Sequence, residues 1–242
     1  MGNFNEIFDE LARHNDRSIL WSNWLDYCIN INLLNPSEVD VNYYGNEEKY
    51  FLMFEEYVDT LNYTLENSDL GYCDLLGDLY EKCVKSHVKA KDLGQYYTPS
   101  GVTSLMSNLT INNVTSNEWV NDCCCGSGRM LLSAHVKSNG GLYCLGQDLD
   151  EVSCKMAVLN FFTHGVRGSI LHMDSLKLDF YKGWRVNKFL YDGIPVPHVE
   201  RVFSVREALG FIGESGGMLS LTKNDGEKSL IKNDNSVQTK LL

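Results

Sequence analysis

The sequence contains few prolines and no long apolar run, and both absences restrict what the chain can be. Its 242 residues include four prolines, Pro36, Pro99, Pro195 and Pro197, so no two prolines are adjacent. No stretch of about 18 apolar residues is present, so we expect neither a transmembrane helix nor a membrane partner. The first residues lack the basic and apolar blocks of a signal peptide. We therefore expect a cytoplasmic protein.

Metal-binding cysteine spacing is also missing. The chain has eight cysteines, which in a chain without a signal peptide are expected to be reduced thiols. Three of them are consecutive, at positions 123–125, and this run lacks the C-x₂-C spacing of a zinc site. A compact thiol packs as a small apolar side chain. The run therefore predicts buried thiols and no metal site.

Positive charge is scarce. The 21 Lys and Arg residues are outnumbered by 32 Asp and Glu residues, giving a net charge of −11. Binding to nucleic acid depends on neutralising phosphates, so a chain of this charge is poorly suited to bind it alone. Either the basic residues cluster on one face, or a partner protein contacts the nucleic acid, or nucleic acid is not the substrate.

The chain is organised around residues 119–130. A short apolar stretch ends at Asp122, Gly126 and Gly128 follow, and a helical pattern begins at Met130. This order predicts a strand, a glycine-rich turn and a helix, in which the backbone can approach a ligand closely. The spacing does not give G-x-G-x-x-G, and no Lys follows Gly128 as in a P-loop. An ordinary turn without a ligand is the alternative.

Carboxylates recur with a regular spacing along this part of the chain. Asp122, Asp148 and Asp174 each end a predicted strand, at intervals of 26 residues. The strand–helix alternation predicts an α/β fold with a parallel sheet, whose carboxyl ends are the usual place for a ligand. An acid at the end of the second strand suits a ribose diol. We therefore expect a nucleoside-type ligand without a triphosphate.

Helical patterns precede this region. Apolar residues recur at helical spacing within residues 1–35 and 46–66. A further helix, after Pro99, has its apolar positions at Val102, Leu105, Met106 and Leu109. The predicted organisation is a helical N-terminal region over 1–92, an α/β core over 93–222, and a loose polar tail over 223–242.

Several motifs in this order resemble the N-6 adenine-specific DNA methyltransferases, and in particular the modification subunits of type I restriction systems. The resemblance covers roughly residues 70–176. Its motifs are Asp74-Leu75-Leu76-Gly77-Asp78-Leu79-Tyr80-Glu81, Gly94-Gln95-Tyr96-Tyr97-Thr98-Pro99, Asp122-Cys123-Cys124-Cys125-Gly126-Ser127-Gly128, Gly146-Gln147-Asp148 and His172-Met173-Asp174-Ser175-Leu176.

The resemblance implies a Rossmann-like methyltransferase core that binds S-adenosylmethionine and follows a helical N-terminal region. It also implies DNA and restriction-modification subunits as partners. The family's roles fall on matching positions of this sequence. Tyr96, Tyr97 and Thr98 would close over the cofactor; Asp122, Gly126, Ser127 and Gly128 would lie beside its methionine part; Asp148 would hold the ribose hydroxyls and Asp174 the adenine amine.

The sequence departs from the family in its catalytic motif. The family carries N-P-P-F/Y, whose polar groups accept the hydrogens of the target amine and whose aromatic ring stacks on a flipped adenine. Because no two prolines are adjacent, this motif is missing from the 242 residues. Asn187, followed by Lys188 and Phe189, is the weak candidate for a remnant. The residues after Asp174 are few for a full methyltransferase sheet, so a truncated core is expected.

Three functions remain open at the level of sequence. The first is an active DNA adenine-N6 methyltransferase that works with a partner protein. The second is an inactive methyltransferase-like protein that keeps the cofactor pocket and acts by interaction, for example with a restriction-modification complex. The third is a methyltransferase for another substrate, with His172, His198 or Asp192 as a base.

Overall fold

A computed structural model describes residues 3–35, 45–85, 98–111, 118–210 and 239–241. Within these ranges, no helix combines the length and the apolar character needed to cross a lipid bilayer. The predicted helices and strands can be compared with the structure only inside the same ranges.

Four helices form the N-terminal region. The first begins at Asn3, which forms a capping box with Glu6, and the second begins at Asp16, whose carboxylate accepts two backbone N–H groups. Both caps satisfy donors that a helix leaves unpaired at its start. The four helices are α1 (Phe4–Leu11), α2 (Arg17–Ile31), α3 (Glu47–Glu66) and α4 (Leu75–Cys83).

A six-stranded sheet follows, in the order β7-β4-β3-β2-β1-β8. β1, β2, β3 and β8 are parallel, whereas β4 and β7 pair in antiparallel orientation. β5 and β6 form a separate two-stranded hairpin. The strands are β1 (Glu118–Asp122), β2 (Leu142–Asp148), β3 (Gly168–Asp174), β4 (Asp179–Val186), β5 (Leu190–Tyr191), β6 (Ile194–Pro195), β7 (Val199–Val202) and β8 (Thr239–Leu241).

The predicted β1-α6-β2-α7-β3 alternation and the parallel sheet are confirmed. Two helices connect the three parallel strands: α6 (Arg129–Lys137) and α7 (Glu151–Thr163). α7 is buried along nearly its whole length, because it lies between the sheet and the N-terminal helices. The short helix α8 (Val205–Leu209) covers part of the opposite face of the sheet.

Helix α5 (Ser100–Thr110) lies against α6 with its polar side inward. Thr103 and Ser107 are its buried residues, and the Thr103 hydroxyl bonds to the hydroxyl of Tyr72. The apolar positions that predicted this helix face outward instead, with exposed fractions of 36–66%. They are Val102, Leu105, Met106 and Leu109.

One feature of the sheet differs from the sequence-based expectation. Residues 239–241 lie in the expected polar tail but form β8, which pairs with β1, so the expectation of a loose tail is wrong for these residues. Three residues are too short a pattern to predict, and their partner strand lies far away in the sequence. The sequence also predicts a strand at residues 216–221, which lie outside the described ranges.

The N-terminal helices and the sheet share one hydrophobic core. Trp24 of α2 and Phe161 of α7 are both fully buried in the same cluster. The backbone N–H of Leu34, just after α2, donates to the carbonyl of Val199 in β7 at 2.8 Å. Packing is therefore continuous across the N-terminal helices and the α/β core, and the boundaries at 92 and 222 remain predictions about chain organisation.

Candidate functional site

Asp122, Asp148 and Asp174 end three adjacent parallel strands at one edge of the sheet. Asp122 pairs with Gly146, two residues before Asp148, and Asp148 pairs with His172, two residues before Asp174. Each successive carboxylate therefore lies two residues further along the strand direction. The structure brings the three predicted carboxylates to the same edge, as the strand pattern indicated.

The backbone of the glycine-rich loop between β1 and α6 donates two hydrogen bonds to residues of β2. The N–H of Gly126 donates to Oδ2 of Asp148 at 2.8 Å, and the N–H of Cys125 donates to the carbonyl of Gln147 at 2.8 Å. Gly126 has φ +54° and Gly128 has φ +85°, in the left-handed region that favours glycine. The predicted glycine-rich turn is thus present and is attached to the Asp148 carboxylate.

Both oxygens of Asp148 are already engaged. Oδ2 accepts from Gly126, and Oδ1 accepts the backbone N–H of Asp150 at 2.9 Å. An ionised carboxylate offers about four acceptor positions, so about two remain for a ligand. The bonds fix the orientation of the side chain before any ligand arrives.

Gly128 packs against helix α7. A Cβ at this position would lie 3.3 Å from Cβ of Ala157 and 3.5 Å from the ring of Phe161. Gly128 is buried, so it sets the distance between the loop and α7. Its close contact and its positive φ both require glycine.

A buried carboxylate from the N-terminal region reaches this loop. Asp74, the N-cap of α4, accepts hydrogen bonds from the backbone of Gly77, from Ser127 Oγ, from Arg129 Nε at 2.9 Å and from Asn160 Nδ2 at 2.8 Å. The side chain of Asp74 is 1% exposed. Ser127 directs its hydroxyl toward Asp74 and its carbonyl accepts from Asn160 Nδ2 at 2.9 Å, so its backbone N–H remains for a ligand.

Arg129 completes this network. Its guanidinium pairs with Asp74, with Asp78 at 2.7 Å, and donates to the carbonyl of Thr98 at 3.1 Å. Burial lowers the pKa of Arg129, but the charges of Asp74 and Asp78 outweigh burial and hold its pKa above the usual value. Thr98, one of the predicted cofactor residues, is thereby fastened next to the glycine-rich loop. Tyr96 and Tyr97 lie outside the described residues.

Asp174 is held by its own loop. Oδ1 accepts the backbone N–H groups of Leu176 and Lys177, and Oδ2 pairs with the Lys177 ammonium at 3.0 Å. These bonds from Lys177, with a smaller contribution from Leu176, hold the pKa of Asp174 below its usual value. Asp174 is therefore ionised at neutral pH and has acceptor capacity left on Oδ2.

Ser175 ties the end of β3 to the other two strands. Its hydroxyl lies 3.0 Å from the carbonyl of Cys123 and 3.0 Å from Oε1 of Gln147. The two loops that follow β1 and β3 are thus joined above the end of β2.

The carboxyl edge is electrostatically negative. Burial raises the pKa of Asp122. The hydrogen bond from the Cys124 N–H lowers this pKa in part, and the charge of Asp148 raises it further. Partial burial raises the pKa of the Cys124 thiol, with further contributions from Cys123, Asp148 and Asp122. Such surroundings favour a ligand that carries positive charge or donates hydrogen bonds.

The cysteine run is only partly buried, which corrects the sequence-based expectation. Cys125 is buried, but Cys123 and Cys124 are exposed. The loop turns both side chains outward, because the backbone of this segment is held toward β2. All eight cysteines are free. No cluster of potential metal ligands occurs among the described residues.

Asn187, the weak catalytic candidate, is not brought to this edge. It follows Val186, which pairs with Gly168 at the start of β3, so it lies at the opposite end of the sheet. Its side chain is fully buried and donates to the carbonyls of Phe161 at 2.8 Å and Val166 at 3.0 Å. Asn187 thus satisfies carbonyls at the end of α7 and is not available to a substrate at the carboxyl edge.

The alternative base candidates are also separate from one another. His198 is buried and bonds the backbone of Val196 and Lys188. Nε2 of His172 lies 3.1 Å from the carbonyl of Leu149. Asp192 lies between the two strands of the β5–β6 hairpin. None of these contacts pairs a base with a second catalytic side chain.

Sequence reasoning missed Asp74, Arg129 and Asn160 as parts of the site. Asp74 carried a signal, since an Asp before an apolar helical run is a typical N-cap. The position of Arg129 directly after the second glycine was a signal too. Asn160 could not have been assigned, because nothing in a helical stripe shows which buried position meets a carboxylate from another region.

Comparisons with known proteins find related sequences. Residues 72–190 match the model of the family described as N-6 DNA Methylase. The type I restriction enzyme MjaVIII methylase subunit of Methanocaldococcus jannaschii is 36% identical over 103 residues, which are 41% of this chain and 17% of the relative. The MjaVII methylase subunit of the same organism is 33% identical over 144 residues, which are 57% of this chain and 23% of the relative.

A solved structure is similar as well. The type I restriction-modification system methyltransferase subunit from Streptococcus thermophilus is 18% identical, with 72% of this chain and 57% of that chain covered and a TM-score of 0.41. The chain spans less than a quarter of the length of the two relatives from Methanocaldococcus jannaschii. The family resemblance expected from the sequence motifs is confirmed for residues 72–190.

Proposed function

We infer that residues 72–190, which belong to the N-6 DNA methylase family, form a binding site for S-adenosylmethionine at the carboxyl ends of β1, β2 and β3. One observation carries this proposal. Asp122, Asp148 and Asp174 end adjacent parallel strands, and the glycine-rich loop donates a backbone bond to the central carboxylate. Parallel α/β sheets bind nucleotides at such an edge.

The residues present fit this cofactor. Asp148 keeps about two acceptor positions, the number that a ribose diol requires. Asp174 keeps acceptor capacity for the adenine amine. Asp122 and the backbone of Gly126, Ser127 and Gly128 would lie beside the methionine part. Tyr96, Tyr97 and Thr98 would close over it.

Charge supports the same ligand. S-adenosylmethionine carries a sulfonium and an ammonium group, and the edge presents three carboxylates. The exposed thiols of Cys123 and Cys124 add no positive charge. When bound, the cofactor supplies the methyl group; the residues of this chain bind and orient it.

We further propose that the methyl acceptor is the N6 amine of adenine in DNA, and that a partner protein brings the DNA to the site in a cytoplasmic restriction-modification assembly. The relatives are named as subunits of type I restriction enzymes. A net charge of −11 is unfavourable for binding DNA without such help.

A second candidate function is cofactor binding without methyl transfer. It is favoured by the sequence, in which the four prolines are all separated and the family's N-P-P-F/Y motif does not occur. The placement of Asn187 at the far end of the sheet favours it too. The protein would then act by interaction, for example with a restriction-modification complex.

Calorimetric titration with S-adenosylmethionine tests the site. Asp148→Ala leaves two ribose hydroxyls without their acceptor, which is expected to weaken binding by about 1–3 kcal/mol, or about fivefold to 150-fold. Asp69→Ala, which removes an exposed carboxylate in the turn after α3, should leave the affinity unchanged. Equal affinity of the Asp148→Ala variant and the natural protein would overturn the assignment of the pocket.

Transfer of a labelled methyl group to DNA separates the two candidates. The assay is run with the protein alone and together with the other subunits of a type I system. Transfer that is lost in Asp148→Ala supports the first candidate. Tight cofactor binding without transfer under both conditions supports the second.

A further inference from the structure

Two helices carry a large excess of negative charge. α1 and α3 together carry nine Asp or Glu residues and one Lys, a net charge of −8 out of −11 for the whole chain. Asp9 and Glu10 are neutralised by Arg17 and Lys49. Among the described residues, Glu55, Glu56 and Asp59 form no ion pair. Their negative charge is therefore not neutralised by an ion pair and can act on a partner that approaches α3.

An apolar groove lies beside these unpaired carboxylates. Helix α3 buries one stripe in the core, at Tyr50, Met53, Tyr57 and Leu61. A second apolar stripe lines a groove of about 700 Å³ between α1 and α3, with Glu55, Glu56 and Asp59 in its wall. The apolar residues of this groove, which we call the α1–α3 groove, are Ile7, Phe51, Leu52, Phe54 and Val58.

The α1–α3 groove is open to a partner. Phe51 is 45% exposed, and Leu52, Phe54 and Val58 are half-buried. Ile7, Phe54 and Val58 also pack in part against the core, so the exposed side chain of Phe51 is the apolar residue of the groove that is most accessible to a partner. Exposed apolar surface bordered by charge is typical of an interaction site.

The charge of this surface selects the kind of partner. Phosphates of nucleic acid and anionic lipid headgroups are repelled by the net negative charge of α1 and α3. An apolar groove with an acidic wall is complementary to a helix that has an apolar stripe flanked by Lys or Arg, the helix-in-groove type of recognition. We propose that the α1–α3 groove binds a basic amphipathic helix of a partner protein. This proposal does not depend on cofactor binding.

Fluorescence anisotropy with labelled peptides tests the proposal on the full chain. The probe is an 18-residue peptide of Leu and Lys with Leu at helical spacing. One matched peptide has Glu in place of every Lys, and another has the same Leu and Lys residues in an order without helical spacing. We expect saturable binding of the probe and at least about tenfold weaker binding of both matched peptides. No binding of the probe, or equal binding of the reordered peptide, would overturn the proposal.

Paired variants locate the binding surface. Glu55→Lys and Asp69→Lys change the net charge equally, but only Glu55 lines the groove. Glu55→Lys should weaken binding of the probe about tenfold and Asp69→Lys less than about twofold. Equal weakening would show attraction by overall charge and would contradict a site in the groove.

The apolar contribution is tested in the same way. Phe51→Ser removes an anchor from the groove, and Ile194→Ser removes a side chain that is 68% exposed in the β5–β6 hairpin. We expect about a tenfold loss for Phe51→Ser and none for Ile194→Ser. Far-UV circular dichroism verifies that both variants are folded, and the Glu55→Lys result decides the matter if Phe51→Ser is not. Affinity for S-adenosylmethionine should be the same in all four variants.

Discussion

Oδ2 of Asp74 lies 2.9 Å from Nε of Arg129. The two residues are 55 positions apart in the sequence, and their pairing joins the first turn of α4 to the first turn of α6. Since Asn160 of α7 donates to the other oxygen of Asp74, one carboxylate connects three helices around the glycine-rich loop. The shape of that loop therefore depends on the N-terminal region.

Replacing Asp74 should destabilise the protein strongly. Asp74→Asn leaves the Arg129 guanidinium without its buried anion, which is expected to lower the free energy of unfolding by about 3–5 kcal/mol. Asp78→Asn removes the other carboxylate of the same arginine, but Asp78 is 63% exposed, so its loss should cost less than about 1 kcal/mol. Urea denaturation measures both values. Similar losses of unfolding free energy in the two variants would contradict a larger contribution from the buried Asp74–Arg129 pair than from the exposed Asp78–Arg129 pair.

Gly128 should not tolerate a side chain. Gly128→Ala places a Cβ 3.3 Å from Ala157 at φ +85°, and the left-handed backbone alone is expected to cost about 1–2 kcal/mol. Gly101→Ala, where a Cβ meets nothing within 4 Å, should leave stability unchanged or raise it by less than about 1 kcal/mol. Thermal unfolding compares the two, and a stable Gly128→Ala variant with an unstable Gly101→Ala variant would contradict the described loop.

The exposed thiols should report on the candidate site. Iodoacetamide should modify Cys123 and Cys124 well before the buried Cys144 and Cys154. Because the thiolate is the nucleophile and the pKa of Cys124 is raised from 9.0, its modification should be slow at pH 8 and accelerate as the pH rises past 9.0. Saturating S-adenosylmethionine should slow the reaction at both residues. Peptide mass spectrometry identifies the modified positions, and early modification of Cys144 would contradict the buried strand β2.

Acid should destabilise the fold through His135. Burial, together with the neighbouring His164, lowers the pKa of His135 from 6.5 to about 4. The unfolded chain therefore takes up this proton near pH 6.5, whereas the folded chain does so only near pH 4, so stability falls as the pH drops through that interval. The full effect is on the order of 3 kcal/mol. Burial lowers the pKa of His164 as well, which acts in the same direction.

The control for this effect is an exposed histidine. His135→Gln should flatten the dependence of the free energy of unfolding on pH between 6.5 and 4, measured by urea denaturation at several pH values. His14→Gln, at an exposed position, should leave the slope as it is. An unchanged slope in the His135→Gln variant would show that another group is responsible.

The sequence allowed the centre of the fold to be predicted, because its signals are local. Alternation of strands and helices gave β1, α6, β2, α7 and β3, and the last residue of each strand gave the three carboxylates. Parallel strands connected by helices bring their carboxyl ends together. The common edge of Asp122, Asp148 and Asp174 followed from that rule alone.

The parts that could not be predicted depend on contacts between distant residues. An apolar stripe shows that a helix has a hydrophobic side but not what that side meets, and in α5 this side faces outward while Thr103 and Ser107 are buried. β8 exists through its pairing with β1, more than a hundred residues earlier. The location of Asn187 could not be deduced either, since β4 turns back antiparallel to β3.

The double attachment of Asp148 has a consequence for the kinetics of ligand association. Its two backbone bonds, from Gly126 and Asp150, remove the rotational freedom of the side chain during folding. A nucleoside that reaches the sheet therefore finds an acceptor that is already oriented, and little conformational entropy is lost in the encounter. The Asp148 side chain should then need no rearrangement of its own after the collision.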